Sequence, residues 1–166
     1  MTQSIFSSAF PFAIAALLVA AAVSDFRRFT IPNWIVLSLI VLWLFRLAGS
    51  AVAGAALLPM AFSALAALAV LAAGAFAFQR GWLGGGDVKL LAATVLWLPA
   101  GQAVDFLSLV ALLGGALAAI AIVAARLLRP AVAGVDGNRP VAGLRLPYGV
   151  AISGAGLLIL FDVIRF

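Results

Sequence analysis

The sequence predicts an all-α polytopic membrane protein of about six transmembrane helices, and three observations support that class. Of its 166 residues, 67% are hydrophobic and 9% charged, with a mean hydropathy of +1.30. Soluble domains average roughly 45–50% apolar and 25% charged residues. The apolar residues gather into six runs, at about Ile5 to Val23, Ile35 to Leu47, Ala51 to Phe78, Val88 to Leu98, Phe106 to Ala125 and Tyr148 to Ile164. Between them lie connections rich in Gly, Pro and Arg, all but one of them short, so residues 1–166 read as one integral-membrane domain with no separate soluble module.

A bilayer core needs about 20 helical residues at ~1.5 Å each, and the first, third, fifth and sixth runs meet that need. Ala20-Ala21-Ala22 offers the small residues of a signal-peptide cleavage site in the first run. A signal peptide, however, carries a basic segment before its apolar stretch. Here the residues before Ile5 hold no charged side chain while Arg27 and Arg28 follow the run, so it is expected to stay as the first helix. The second run must borrow from Ile31 to Trp34 and from Ala48 to Ser50, with Pro32 and Asn33 forming the turn into its helix and Pro32 at or near the first turn.

The Ala/Gly-rich stretches Ala64 to Ala77 and Gly114 to Ala125 read as close helix-packing faces. In the fourth run only 11 residues separate Asp87 from Pro99. To span, it must extend back through Trp82 and the glycine run toward Arg80, which puts Asp87 about 18 Å from the Pro99 end and below the membrane surface. Asp105 is placed to cap the fifth helix. The long connection Arg126 to Pro147 holds a turn signal at Val135-Asp136-Gly137-Asn138 and four arginines suited to anionic headgroups. Trp34, Trp82 and Trp97 are expected as interfacial anchors, and Trp43 as apolar bulk within a span.

Six spans put both termini on one side. The connections Ser24 to Asn33, Gln79 to Lys89 and Arg126 to Pro147 hold Arg27, Arg28, Arg80, Lys89, Arg126, Arg129, Arg139 and Arg145, against Arg46 and Arg165 on the other side. The positive-inside rule therefore places those connections in the cytoplasm, with both termini outside.

The chain has five acidic residues, all Asp, and no His or Cys. That excludes disulfides, thiol nucleophiles, Ser-His-Asp chemistry and thiolate or imidazole metal sites. Carboxylate chemistry is the main option left. Acids at membrane depth are costly and usually serve chemistry or ion handling. Asp25 and Asp87 both fall at the inner ends of apolar runs, whereas Asp105 and Asp162 lie toward the outer side and Asp136 in a solvated turn. Two carboxylates close together in a partly desolvated site cannot both ionise cheaply. The charged one can then act as a base toward water while the neutral one polarises a carbonyl, a division of labour that requires no metal or other cofactor.

Three segments carry a family resemblance. They are Ser24-Asp25-Phe26-Arg27-Arg28-Phe29-Thr30-Ile31-Pro32-Asn33, the G-x-G-D signature at Gly84-Gly85-Gly86-Asp87 continuing as Val88-Lys89-Leu90, and Pro147-Tyr148-Gly149 opening the last helix. In this order, and in register with six spans, the chain resembles the type IV prepilin peptidases, membrane aspartyl proteases, and in particular their short members associated with Flp/Tad pili. The resemblance implies catalysis by Asp25 and Asp87. It also implies a prepilin or prepilin-like substrate cleaved at the cytoplasmic face of the bacterial inner membrane, in a lipid setting and with no nucleic-acid partner. Longer members carry a cysteine metal site and N-methylate the new amino terminus. This chain has no cysteine, so the resemblance extends to the peptidase and not to the methyltransferase.

Gly84, Gly85 and Gly86 allow positive φ and close backbone approach beside Asp87, or are a plain loop before a helix. Lys89 is expected to snorkel or to pair with a headgroup or carboxylate. Pro32 and Asn33 either position the Asp25 segment or simply start a helix. Pro147, Tyr148 and Gly149 either offer free backbone groups to an extended substrate or only begin the sixth helix. Two other functions stay open. In a small proton- or cation-coupled transporter, Asp87 beside a glycine-broken helix would bind the ion, although no related halves are visible. A noncatalytic subunit of a pilus or secretion assembly would have no need of two inner-side carboxylates. Oligomeric state has no sequence signal here.

Overall fold

The computed structural model describes residues 2–127 and 146–164, and side chains within residues 10–124 and 146–161. The described residues form α1 (Thr2–Arg28), α2 (Asn33–Val52), α3 (Leu58–Gln79), α4 (Gly85–Val95), a 3-10 turn (Ala100–Gln102), α5 (Ala103–Leu127) and α6 (Tyr148–Ile164). Four helices, within Phe10–Arg28, Asn33–Val52, Leu58–Gln79 and Ala100–Ala124, are long and apolar enough to cross a membrane, and shorter apolar helices accompany them. The protein is an all-α polytopic membrane protein.

The long helices bury one stripe each. In α1 the stripe is Ile14, Leu18, Ala21 and Asp25, in α2 Ile35, Val36, Leu39 and Trp43, and in α3 Met60, Ser63, Ala67 and Gly74. Spacings of three, four and seven, with Ile35 and Val36 side by side, place each set on one helical face. Their remaining faces carry exposed apolar side chains such as Phe12, Leu37, Phe45, Leu65 and Leu68, as lipid contact requires. The two short helices are the interior. α4 buries Val88 and Leu90 through Val95, nearly all round, and packs against α3, α6 and α2. α6 buries Ala151, Ile152, Ser153, Ala155, Ile159 and Leu160 and packs against α1, α5 and α4. Small residues allow these approaches: a Cβ on Gly74 would lie 2.7 Å from Val88 Cγ1, and one on Gly156 would lie 3.1 Å from both Leu18 and Thr94.

The fourth segment departs from expectation. α4 has 11 residues, about 16 Å of helix against a core of about 30 Å, and it does not extend back through Trp82. The cause is the end of α3. Gly81 takes φ +72°, its N–H donates to Phe78 O (2.9 Å) and Trp82 N–H donates to Ala77 O (3.0 Å). This pair of bonds closes a helix C-terminus and turns the chain away. The same device ends α2, where Gly54 at φ +67° donates to Ala51 O and Ala55 donates to Ser50 O. α2 does take in Ala48 to Ser50, and Pro32 is its N-cap. α3 starts at Leu58 with Pro59 in its first turn rather than at Ala51.

Two smaller expectations are corrected. Trp97 is buried, its indole N–H donating to Leu39 O (3.2 Å) and its ring lying against Phe10, so it is an internal clamp and not an interfacial anchor. Asp105 sits inside the first turn of α5, not at its cap, because the 3-10 turn lets the helix begin at Ala103. The turn at Val135 to Asn138 lies outside the described residues.

Candidate active site

Asp25 ends the buried stripe of α1 and is 5% exposed. One turn later the helix stops. Phe29 takes φ 50° and its N–H donates to Asp25 O at 2.8 Å, while Ser24 Oγ donates to Thr30 O at 2.9 Å. A left-handed conformation at a residue with a Cβ costs about 1–2 kcal/mol. It is held here beside a candidate catalytic group, where such strain tends to cluster.

The Asp25 carboxylate is fixed by the last helix. Gly149 N–H, in the first turn of α6, donates to Asp25 Oδ2 at 2.7 Å. A helix N-terminus has unsatisfied N–H groups and favours negative charge, so it suits a carboxylate. Glycine is required by distance: a Cβ at 149 would fall 2.8 Å from Oδ2 and 2.9 Å from both Cβ and Cγ of Asp25. The backbone groups expected to be free at this motif are partly in use. Gly149 N–H serves Asp25, Leu146 O accepts from Tyr148, and Pro147 O accepts from Val150.

Asp87 stands in the first turn of α4, after the extended N-cap Gly84. Its carboxylate folds back over that residue, so that a Cβ on Gly84 would lie 2.7 Å from Asp87 Oδ2. Gly85 faces the Phe78 ring and Gly86 faces Ile31, with 3.4 Å as the nearest approach of an added Cβ in each case. The glycine run is thus where the end of α3 and the segment before α2 close on the start of α4. Lys89, exposed, donates to Asn33 Oδ1 at 3.2 Å and ties α4 to the first residue of α2, rather than pairing with a carboxylate.

Both aspartates line one cavity of about 560 Å³, together with Gly84, Gly85, Gly86 and Tyr148. Pro32, Asn33, Lys89, Pro147 and Gly149 do not line it. Phe29, Thr30, Ile31, Gly81, Trp82, Leu83 and Leu146 also line it, and none of these is among the site residues expected from sequence. Phe29 to Ile31 lie four to six positions after Asp25, within the Ser24 to Asn33 segment, and that nearness was the available signal. No group of three or more His, Cys, Asp or Glu that would hold a metal ion occurs among the described residues.

The model of the type IV leader peptidase family matches residues 12–122, two thirds of the chain, from within α1 to within α5. The chain belongs to the type IV leader peptidase family. No curated protein and no solved structure matches it. Membership makes it a leader-peptidase-like protease with a prepilin-like substrate, and favours that reading over a transporter or a noncatalytic assembly subunit. The matched region contains both aspartates and the whole glycine run, whereas Pro147, Tyr148 and Gly149 fall beyond it.

Proposed function

We propose that the chain is an aspartic endopeptidase that removes the leader from Flp-type prepilins, with Asp25 and Asp87 as its catalytic pair. The observation that carries this reading is that the two carboxylates, 62 positions apart by their numbers (87 less 25), line the same cavity at one end of the bundle. One carboxylate, ionised, takes a proton from water. The resulting hydroxide adds to the scissile carbonyl carbon while the other carboxyl, protonated, donates to the carbonyl oxygen. Collapse of the tetrahedral intermediate breaks the C–N bond, the leaving nitrogen takes the proton held by the base, and one hydroxyl of the intermediate returns its proton to the other carboxylate, restoring the pair. The two groups titrate as a pair, so the roles belong to the dyad rather than to either residue alone.

The prepilin presents its cleavage site as an extended segment, because a helical carbonyl is already occupied by the helix ladder. Gly84, Gly85 and Gly86 shape the Asp87 side of this cleft, and Tyr148 the α6 side. Pro32 with Asn33, held by Lys89, sets the start of α2. The cleft faces the cytoplasm and both termini face the periplasm, as the eight-to-two distribution of basic residues in the connections requires.

Co-expression with a Flp-type prepilin should yield a shortened pilin, and a reporter fused after Phe166 should be active only in its periplasmic form. A prepilin that stays full-length beside well-inserted protein would overturn the peptidase assignment. A cytoplasmic carboxyl terminus would overturn the orientation alone.

A further inference from the structure

A second cavity, of about 550 Å³, opens at the other end of the bundle. α1 gives it Phe10, Pro11 and Ile14, whereas the same helix gives the catalytic cavity Asp25; α3 contributes from its first residues, and α6 through Leu160 near its far end. One wall is Leu96 to Ala100, the segment that directly follows the last residue of α4. The space therefore lies where the short fourth helix stops and its longer neighbours continue.

The described walls offer almost no free polarity. Trp97 is held by its bond to Leu39 O, and the Ser63 hydroxyl is spent on Leu98 O (2.8 Å) and Pro59 O (3.2 Å). Trp43 and Trp97 are each 7% exposed. The charged exception is Arg46, whose guanidinium lies 5.8 Å from the centre of the Trp97 ring. None of the described lining residues is acidic. An occupant must therefore be long and apolar with a single anionic group at one end. The volume falls within the range of about 300–1,000 Å³ typical of small-ligand sites.

We infer that this cavity holds an acyl chain of an anionic phospholipid, with the lipid phosphate on Arg46. Several features favour a lipid over a soluble anion. The cavity opens among lipid-facing helices, its lining is aliphatic and aromatic, and a guanidinium beside apolar surface matches a phosphate joined to a hydrocarbon tail. The inference does not depend on the peptidase chemistry. It concerns residues at the far end of the bundle from both aspartates.

Trp43 and Trp97 provide the readout. In a Trp34→Phe, Trp82→Phe background only the two cavity tryptophans fluoresce. The purified protein in vesicles is titrated with phosphatidylglycerol, or with phosphatidylcholine, bearing brominated chains that quench on contact. Half-maximal quenching is expected at about a tenfold lower mole fraction of the anionic lipid, a difference of about 1.4 kcal/mol. Arg46→Gln should remove that preference while leaving the quenching by phosphatidylcholine unchanged. Equal quenching by both lipids in the Arg46 protein, or a preference that survives Arg46→Gln, would overturn the inference. So would an added prepilin that relieves the quenching by phosphatidylglycerol, which would make the cavity a seat for the substrate's apolar segment.

Discussion

The two ends of the bundle hold cavities of almost the same size, about 560 and 550 Å³, built from opposite materials. At one end the walls include three successive glycines, two carboxylates and the ends of four helices, α1, α3, α4 and α6. At the other they are aromatic rings, aliphatic side chains and prolines around one arginine. Volume does not distinguish them. Peptide hydrolysis needs proton-transfer groups, and among the described residues carboxylates line the first cavity and not the second. The glycine-rich end owes its shape to backbone, and the aromatic end to side chains, so the two should respond differently to substitution.

The largest contrast should come from the carboxylates. Asp25→Asn and Asp87→Asn should each lower prepilin cleavage by about 10²-fold or more, the usual scale of a lost general acid or base. Trp43→Phe at the opposite end should leave cleavage within about twofold, since surrounding side chains absorb an apolar exchange more readily than a dyad absorbs a lost proton-transfer group. Quantitative immunoblots of precursor and product, on protein of matched abundance, read both. Substantial cleavage by either single Asp variant would remove that residue from the dyad. Next comes Gly149→Ala, whose Cβ would press on the Asp25 carboxyl at 2.8–2.9 Å. A displacement on the order of 1 Å near the chemistry can cost about 10²-fold, and the loss should fall on kcat rather than KM. Gly101→Ala and Gly115→Ala, with nothing within 4 Å of the added methyl, should be silent in the same assay.

A third test separates packing from chemistry. Gly74→Ala would drive a Cβ to 2.7 Å from Val88 Cγ1 at the α3 and α4 contact, and overpacking of this kind costs about 1–3 kcal/mol. The thermal midpoint in detergent should fall, and cleavage measured well below that midpoint should fall less than for Gly149→Ala. The smallest effect is expected for Lys89→Met, which removes an exposed bond to Asn33, a loss of about 0.5–1.5 kcal/mol at most. Its cleavage rate should stay within about threefold of the parent. A loss as large as that of the Asp variants would place Lys89 in the chemistry.

Much of this contrast was legible in the sequence, and what escaped has physical causes. The apolar runs gave the long helices because length and composition alone decide membrane crossing. Asp25 and Asp87 stood out because acids are so scarce in the chain. The length of α4 was misjudged because hydropathy counts residues and cannot register that Gly81 adopts a left-handed conformation. That single dihedral ends α3 and leaves Trp82 to Gly84 outside any helix. Phe29 gave no warning, since a bulky residue at positive φ is uncommon. Trp97 resembled an interfacial anchor, because tryptophans at run ends usually are, and only the fold shows Leu39 O within reach of its indole. The role of Gly149 was hidden for a related reason: its partner lies 124 positions away, and no local pattern reports a contact at that range.

That last contact links the first helix to the last, and so it sets a time as well as a place. Asp25 leaves the ribosome early, while its hydrogen-bond donor, Gly149, is made 124 residues later. At roughly 5–20 residues per second the interval is about 6–25 s. During it the carboxylate lies in a growing chain whose first five helices can already be in place, yet the group that orients it does not exist. The Asp25 end of the bundle is therefore completed only once the start of α6 has been made, and until then the Asp25 carboxylate lacks its Gly149 partner.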